Sequence, residues 1–471
     1  MINIGHEREC FFDDYLIDTE KTTAKFKVHN PTYKGPVMRH DEFWEGDGSD
    51  YHNFFYDNGI WRMYYLGWKT FGPREEIFAC YAESKDGINW TKPSLGIVEY
   101  RGTKDNNILL PFGVDNFMVF RDDNPACEPD KKYKAVADKK IDENHHLYSY
   151  YSEDGIHFRE GELICSDGRF DSLNVAFWDE KEKRYLCYFR GYHDIDEKDM
   201  PKSLGPQPIR DIRVIESPDF KVWTKFKRVN FGDCEDIPLY TNVVQPYYRA
   251  PQYYVGFPTR YIERPEWNGT YDELCGKEKR LQRIEKSKRY GLVVTDCVFM
   301  SSRDGYNFKR HDEAFMPPMP ENGRNWVYGD SYVARGMIET PSDVQGAESE
   351  ISIFAFDNHW GGHPSNFIRF TIRKDGFVSL RAGAEEEKVV TKPFVFEGEE
   401  MRINFATSAR GYMYFTLIDE NGNRYDSLET FGNLTDRKVV FGEGVVKSLS
   451  GKPVTLEVIM RDSDLYAIRF A

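Results

Sequence analysis

The chain has 471 residues, a formal net charge of −15 and 15% aromatic residues. That length accommodates a catalytic domain with an accessory one, and the aromatic content favours pleated, half-buried strands over helices. The acidity works against nucleic acid or an anionic membrane as partner and suits a neutral polar ligand, although it also serves plain solubility.

Eight cysteines, Cys10, Cys80, Cys127, Cys165, Cys187, Cys234, Cys275 and Cys297, are scattered without metal-type spacing, which argues against a zinc site and a disulfide framework. The N-terminus, MINIGHEREC, lacks a basic-then-apolar signal, and no apolar run is long enough to span a bilayer. A soluble, cytoplasmic protein is the expectation.

From residue 1 to about 44 the chain reads as an entry segment, in which FFDDYLID (Phe11 to Asp18) is expected to form one strand with a carboxylate-rich turn. A Gly-rich stretch, Phe43 to Gly48, leads into Asp50. Ser49 to Tyr65 then reads as a β-hairpin, two aromatic runs around Asp57-Asn58-Gly59.

Self-similarity organises the rest of the sequence. A turn signature recurs after apolar runs: AESKDGINW (Ala82 to Trp90), YSEDGIHF (Tyr151 to Phe158), IESPDFKVW (Ile215 to Trp223), MSSRDGYNF (Met300 to Phe308) and TIRKDGFVSL (Thr371 to Leu380). The third copy replaces Gly with Phe220, and the fifth lacks the Ser. In step with it run inner hairpins, whose first strands end at Asp57, Asp122 and Asp179. A weaker fourth copy lies at Val243 to Pro258, and the least regular pairs Glu350–Phe356 with Phe367–Ile372. An inner and an outer hairpin per unit predict an all-β fold, a five-bladed β-propeller over residues 45–389. The segment Glu263 to Arg289 interrupts blade four as a charged, partly helical surface excursion. After about Val390, alternating strands around Asn421-Gly422 predict a small C-terminal β-sandwich, residues 390–471, with its last segment forming two strands.

In a propeller the starts of the innermost strands converge. Asp50 and Asp115 lie seven positions before Asp57 and Asp122, and Asp171 lies eight before Asp179, so three consecutive blades present a carboxylate at nearly one height. The plain alternative is that Asp commonly precedes strands in turns.

This pattern resembles the five-bladed glycoside hydrolase superfamily of invertases, fructanases, arabinanases and β-xylosidases, some with a C-terminal β-sandwich. The DDYLID, WEGDG, KDGINW and RKDGF motifs are most similar to a group of invertase-like predicted hydrolases. The resemblance implies that Asp50 is a nucleophile or base and that Asp115 stabilises the transition state, with Arg121-Asp122 as a competing match to an Arg-Asp-Pro signature. The superfamily's third-blade Glu acid has no counterpart here, where Asp171 stands instead. Candidates for the acid are Asp171, Glu235 or Asp236, Glu339 and Glu350.

Candidate sugar contacts are Trp44, Trp61, Trp68 and Trp326 for stacking, with Trp61 and Trp68 equally suited to the core. Arg190 and Arg260 suit ligand hydroxyls or a carboxylate, and His52 is expected on the same strand face as Asp50. His359 and His363 share a Gly-rich loop without defining a metal geometry. No cofactor is called for, and a structural calcium stays open. The leading expectation is a glycosidase acting on a neutral oligosaccharide or glycan, a furanoside first, through a carboxylate pair. A non-catalytic sugar-binding propeller and a glycoside phosphorylase, which needs a phosphate pocket of Arg, Lys or His, are the alternatives. Sugar, linkage, stereochemical course and oligomeric state stay open.

Overall fold

In the first hairpin Asn58 and Gly59 both take positive φ, 49° and 90°, the turn whose twist matches that of flanking strands. Strands Asp50–Asp57 and Ile60–Gly67 therefore pair directly, and Phe78–Ser84 and Trp90–Thr91 complete a four-stranded sheet. The computed structural model describes residues 1–141, 144–194, 208–362 and 364–471, and its strands repeat this unit into a five-bladed propeller. The innermost strands are Asp50–Asp57, Asp115–Arg121, Val175–Asp179, Gln245–Pro246 and Ile338–Thr340. Glu350–Phe356 and Asn366–Ile372, expected as the inner hairpin of blade five, are instead its second and third strands.

Four of the five turn signatures form one structure. Asp86, Asp154, Asp219 and Asp304 each accept, through Oδ1, the backbone N–H groups two and three residues on, at 2.8–2.9 Å. The Ser two residues before each Asp donates to the same carboxylate. The fifth copy is a different object. Asp375, fully buried, accepts from Tyr247 Oη at 2.6 Å, Arg249 Nε at 2.8 Å and Asn404 Nδ2 at 3.1 Å, tying the propeller to the C-terminal sheet.

The Asp that ends each of the first three inner strands is an inter-blade pin. Asp57 accepts from Tyr133 Oη at 2.6 Å, Asp122 from Tyr185 Oη at 2.7 Å and Asp179 from Tyr254 Oη, each hydroxyl belonging to the following blade. Arg62, Lys134 and Arg184 stand beside the same carboxylates, so these buried charges are paired, as burial requires.

Blade five is closed by the other end of the chain. Thr32–Arg39 pairs with Asn366–Ile372 as its outermost strand, which supplies the fourth strand of that blade. The first 28 residues pair with the C-terminal sheet, through Ile2–Gly5, Glu9–Cys10 and Lys25–Val28. Val378–Ala382 belongs to that sheet too. The boundaries expected at 44/45 and 389/390 thus shift: the propeller strands run from Thr32 to Ile372, and the first 28 residues join Val378–Phe470 in the C-terminal sheet, which hydropathy alternation alone does not reveal.

FFDDYLID is also corrected. Only Glu9–Cys10 is a strand, and turns follow, because Asp13 and Asp14 turn outward to Arg303 at 2.8 Å and Lys309 at 3.2 Å of blade four. The C-terminal β-sandwich is one ten-stranded sheet folded over a second core that includes Phe394, Phe415, Leu456 and Phe470. Val454–Phe470, expected as two strands, is a single strand carrying Asp462 at φ 43°.

Candidate active site

Inner strands run from the Asp50 end of the propeller to the Asp57 end. At their starts a shared irregularity sets the geometry. Register shifts between Asp50 and Asn53, and between Asp115 and Met118 opposite Asp138 and Val136, mark bulges in blades one and two. Tyr51 (φ 51°) and Asn116 (φ 59°) carry the left-handed backbone there, a conformation disfavoured for bulky side chains and common where a strand re-aims a residue. An added residue breaks the two-residue alternation. His52 therefore does not share the face of Asp50, as expected. It is buried between the rings of Phe367 and Tyr65, with Nε2 2.9 Å from His40 Nε2.

The loop before Asp50 is built around Trp68. A Cβ on Gly46 would stand 2.4 Å from the Trp68 carbonyl, and one on Gly48 would stand 2.6 Å from its indole. Both glycines let this ring lie against Asp50. Asp47 extends the arrangement, its carboxylate accepting from Thr70 N at 2.8 Å and Gly362 N at 2.9 Å while its carbonyl accepts from Trp360 N.

Asp50 is 1% exposed, and its Oδ1 has no protein partner. Burial, and then the charge of Asp115, push it well above the ordinary carboxylate value, the Trp68 indole N–H opposing the rise. His359 Nδ1 lies 3.9 Å from Asp50 Oδ2. Burial and the nearby Arg283 hold that imidazole neutral. Gly329, at φ 102°, makes room for the ring, which a Cβ there would meet at 2.3 Å.

Burial lifts Asp115 to about 7, against the pull of Arg74 and with the charges of Asp138 and Asp171 adding to the rise. Arg74 is 3.6 Å from Asp115 and 2.6 Å from Asp138, whose same oxygen is 2.6 Å from His145 Nδ1. Its loop packs so closely on the backbone before Asp115 that a Cβ on Gly113 would stand 2.2 Å from the Arg74 carbonyl. A cavity of about 840 Å³ opens here, lined by Arg74, Phe112, Val114 and Asp138.

Asp171 behaves in the opposite sense. Burial would raise it, but Arg190, which donates to its Oδ1, and then His145 outweigh burial and hold it below the ordinary value. Asp115 thus acts electrostatically on Asp50, and Asp171 on Asp115, with Asp50 and Asp115 raised and Asp171 lowered. That is the condition for dividing acid and base work among like side chains.

Tyrosines and a tryptophan wall the other side. Tyr240 stacks between Tyr261 and Tyr332, at 5.6 Å from each, and Tyr332 stacks on Tyr51. Trp360 packs on His359 and Tyr328. Buried polar atoms without a protein partner gather among these groups: Tyr332 Oη, His359 Nδ1, Trp360 Nε1, and Arg190 Nε and Nη1. Flat apolar faces edged with donors suit a sugar ring.

The other candidates fall elsewhere. Arg121 sits at the far end of its strand, 2.8 Å from Asp123 and 3.5 Å from Asp57. Glu339 is also at that far end, accepting from Tyr248 Oη at 2.8 Å, and Glu350 begins the strand beside it. Glu235 is exposed on a separate cavity of about 300 Å³, where Asp236 pairs with His193 at 2.7 Å. Trp44 is core, its indole donating to Asn107 Oδ1. Trp61 packs on Phe54 and Tyr56. Arg260 faces outward to Asp296 at 2.5 Å. Trp326, at φ 61°, donates to the Met319 carbonyl. His363 lies outside the described residues, and among these no group of three His, Cys, Asp or Glu could hold a metal ion. Sequence reasoning missed Arg74, Asp138, His145, Tyr240, Tyr332 and Trp360. The resemblance supplied no motif for them, and their convergence needs the fold.

No family model matches the chain. A curated relative, the uncharacterised protein Rv1502 of Mycobacterium tuberculosis (strain ATCC 25618 / H37Rv), is 26% identical over 138 residues, 28% of this chain; the match spans only 40% of that relative's length. Among solved structures, the chain is similar to a glycoside hydrolase, at 12% identity and TM-score 0.45 over 74% of this chain and 93% of that one. It is also similar to a fructofuranosidase from Schwanniomyces occidentalis complexed with fructose, at 10% identity and TM-score 0.39 over 94% and 97% of the two chains. A GH93 α-L-arabinofuranosidase of Fusarium graminearum with arabinobiose gives 10% identity and TM-score 0.40 over 76% and 92%.

Proposed function

We propose that the protein is a glycoside hydrolase whose reaction centre is formed by Asp50, Asp115 and Asp171. The reading is carried by one observation: carboxylates from three blades stand at the same end of the propeller and interact through Asp115, which is lifted to about 7 while Asp171 is lowered. In this proposal Asp115 donates the proton to the leaving oxygen, since a donor with a pKa near 7 is half protonated at neutral pH. Asp50 acts as nucleophile or base. In this reading the two are a coupled pair: burial, the larger cause of Asp50's rise, works against its ionised form and a charge on Asp115 adds to that, so the ionised role requires Asp115 to keep its proton. Asp171, fixed by Arg190, stabilises the oxocarbenium-like charge of the transition state. A third-blade Glu is then unnecessary.

The invertase-like motifs make furanosides the first substrates to try. A cytoplasmic location goes with the proposal, supported by eight unpaired cysteines. The test is a panel of chromogenic furanosides and pyranosides, assayed with and without phosphate. Release of the chromophore without phosphate upholds hydrolysis. Binding of sugars without release from any member would reduce the protein to a sugar-binding propeller.

A further inference from the structure

The aromatic side of the funnel carries cationic nitrogens that the proposed chemistry leaves unused. Arg190 is 3% exposed, yet only one guanidinium nitrogen, the one donating to Asp171, is engaged; Nε and Nη1 have no protein partner. Its Cζ stands 4.6 Å from the centre of the Tyr240 ring. On the far side of the Tyr240–Tyr261 stack, Arg289 reaches Tyr290 Oη at 3.1 Å and Tyr261 Oη at 3.5 Å. Arg289 comes from the insertion in blade four, which supplies Lys279, Arg280, Arg283, Lys286 and Lys288 as well. Among the described residues, none of these six cations is within 4.0 Å of a carboxylate. The insertion, residues 263–289, carries eight cations against six carboxylates, a small positive excess in a chain of net charge −15. Arg283 carries it inward: it is 4% exposed, donates to the His359 carbonyl and leaves Nε and Nη1 without partners.

Buried donors without acceptors are costly unless a ligand satisfies them, and a guanidinium does so best with an oxyanion. We propose that the funnel contains an oxyanion subsite centred on Arg190, and that the substrate presents a negatively charged group to it, a sugar carboxylate first of all. This rests on the glycosidase reading and deepens it, replacing the neutral ligand suggested by net charge with an acidic sugar. Free phosphate offers the same chemistry, and the test separates the two.

Calorimetric titration of the full chain with glucuronate and galacturonate, with glucose and galactose as neutral counterparts, and with inorganic phosphate reads the subsite without any turnover. The expected result is that a uronate binds about tenfold or more tightly than its neutral counterpart, an advantage that weakens with added salt. Arg190→Gln should lower uronate affinity about tenfold and neutral-sugar affinity by much less, and Arg190→Lys should restore part of the difference; circular dichroism of both variants guards against misfolding. Phosphate binding in place of uronate upholds the subsite with free phosphate as the oxyanion. Equal affinity for acidic and neutral sugars together with no phosphate binding overturns it. Since turnover is read separately, cleavage of neutral glycosides with no anion preference would sink the subsite alone, and anion binding without cleavage of any glycoside would sink the hydrolase reading alone.

Discussion

At the scale of single residues, Asp115 makes two measurable statements. Its folded pKa of about 7 lies above that of an unfolded aspartate, so between roughly pH 4 and 7 the folded chain binds the extra proton and stability falls as pH rises through that window. Asp330 is also lifted to about 7 by burial, so the informative quantity is the difference between variants. Asp115→Asn should be more stable than wild type by about 1–3 kcal/mol at pH 8, with the gap closing toward pH 4. Denaturant melts across that range check it, and a gap that does not change with pH contradicts the assignment. The second statement concerns Arg74, which lowers Asp115 from 3.6 Å away. On the glycoside that responds, the alkaline limb of kcat/KM should lie near pH 7 and move upward in Arg74→Gln, because the proton donor then keeps its proton longer. A limb that stays in place would take Arg74 and Asp115 out of that titration.

The blade is the scale at which the sequence was most legible, and its limits are physical. Four Ser-x-Asp turns could be read because the signature is local: one carboxylate caps N–H groups two and three residues on. The fifth shares the Asp-Gly but has Arg373 in place of the Ser and takes another role, since tertiary ion pairs bury Asp375. The height of Asp50, Asp115 and Asp171 was legible as spacing, whereas the bulges that re-aim the first two were not, because a left-handed Tyr51 has no signature. His52 was misplaced for that reason alone. The pins give this scale its prediction. Tyr185→Phe removes the hydroxyl that, with Lys134, satisfies buried Asp122 and should cost about 1–3 kcal/mol. Gly155→Ala should cost more: Gly155 sits at φ 79°, and a Cβ would stand 2.9 Å from Tyr64 Oη. Chemical denaturation of both reads the order, and a neutral Gly155→Ala would contradict the packing of turns under neighbouring blades.

For the whole molecule, closure is the controlling feature. Thr32–Arg39 completes blade five, and residues 1–28 supply three strands to the C-terminal sheet. The propeller strands run unbroken from Thr32 to Ile372, but the C-terminal sheet is assembled from residues 1–28 and 378–470, and composition shifts along the sequence cannot show that. Removing residues 1–39 should therefore abolish cooperative folding of both domains rather than trim a tail, read as loss of the calorimetric transition and rapid proteolysis. A truncated chain that melts cooperatively would show that the ring closes without its last strand. Closure also gives the funnel its function, because it brings Asp50 of blade one beside His359 of blade five.

The central claim is that Asp50 takes part in breaking a glycosidic bond. The most direct measurement is turnover by Asp50→Asn on whichever glycoside the wild type cleaves, with circular dichroism confirming the fold. The account predicts a loss of about three orders of magnitude or more in kcat; turnover within a few-fold of wild type would contradict it.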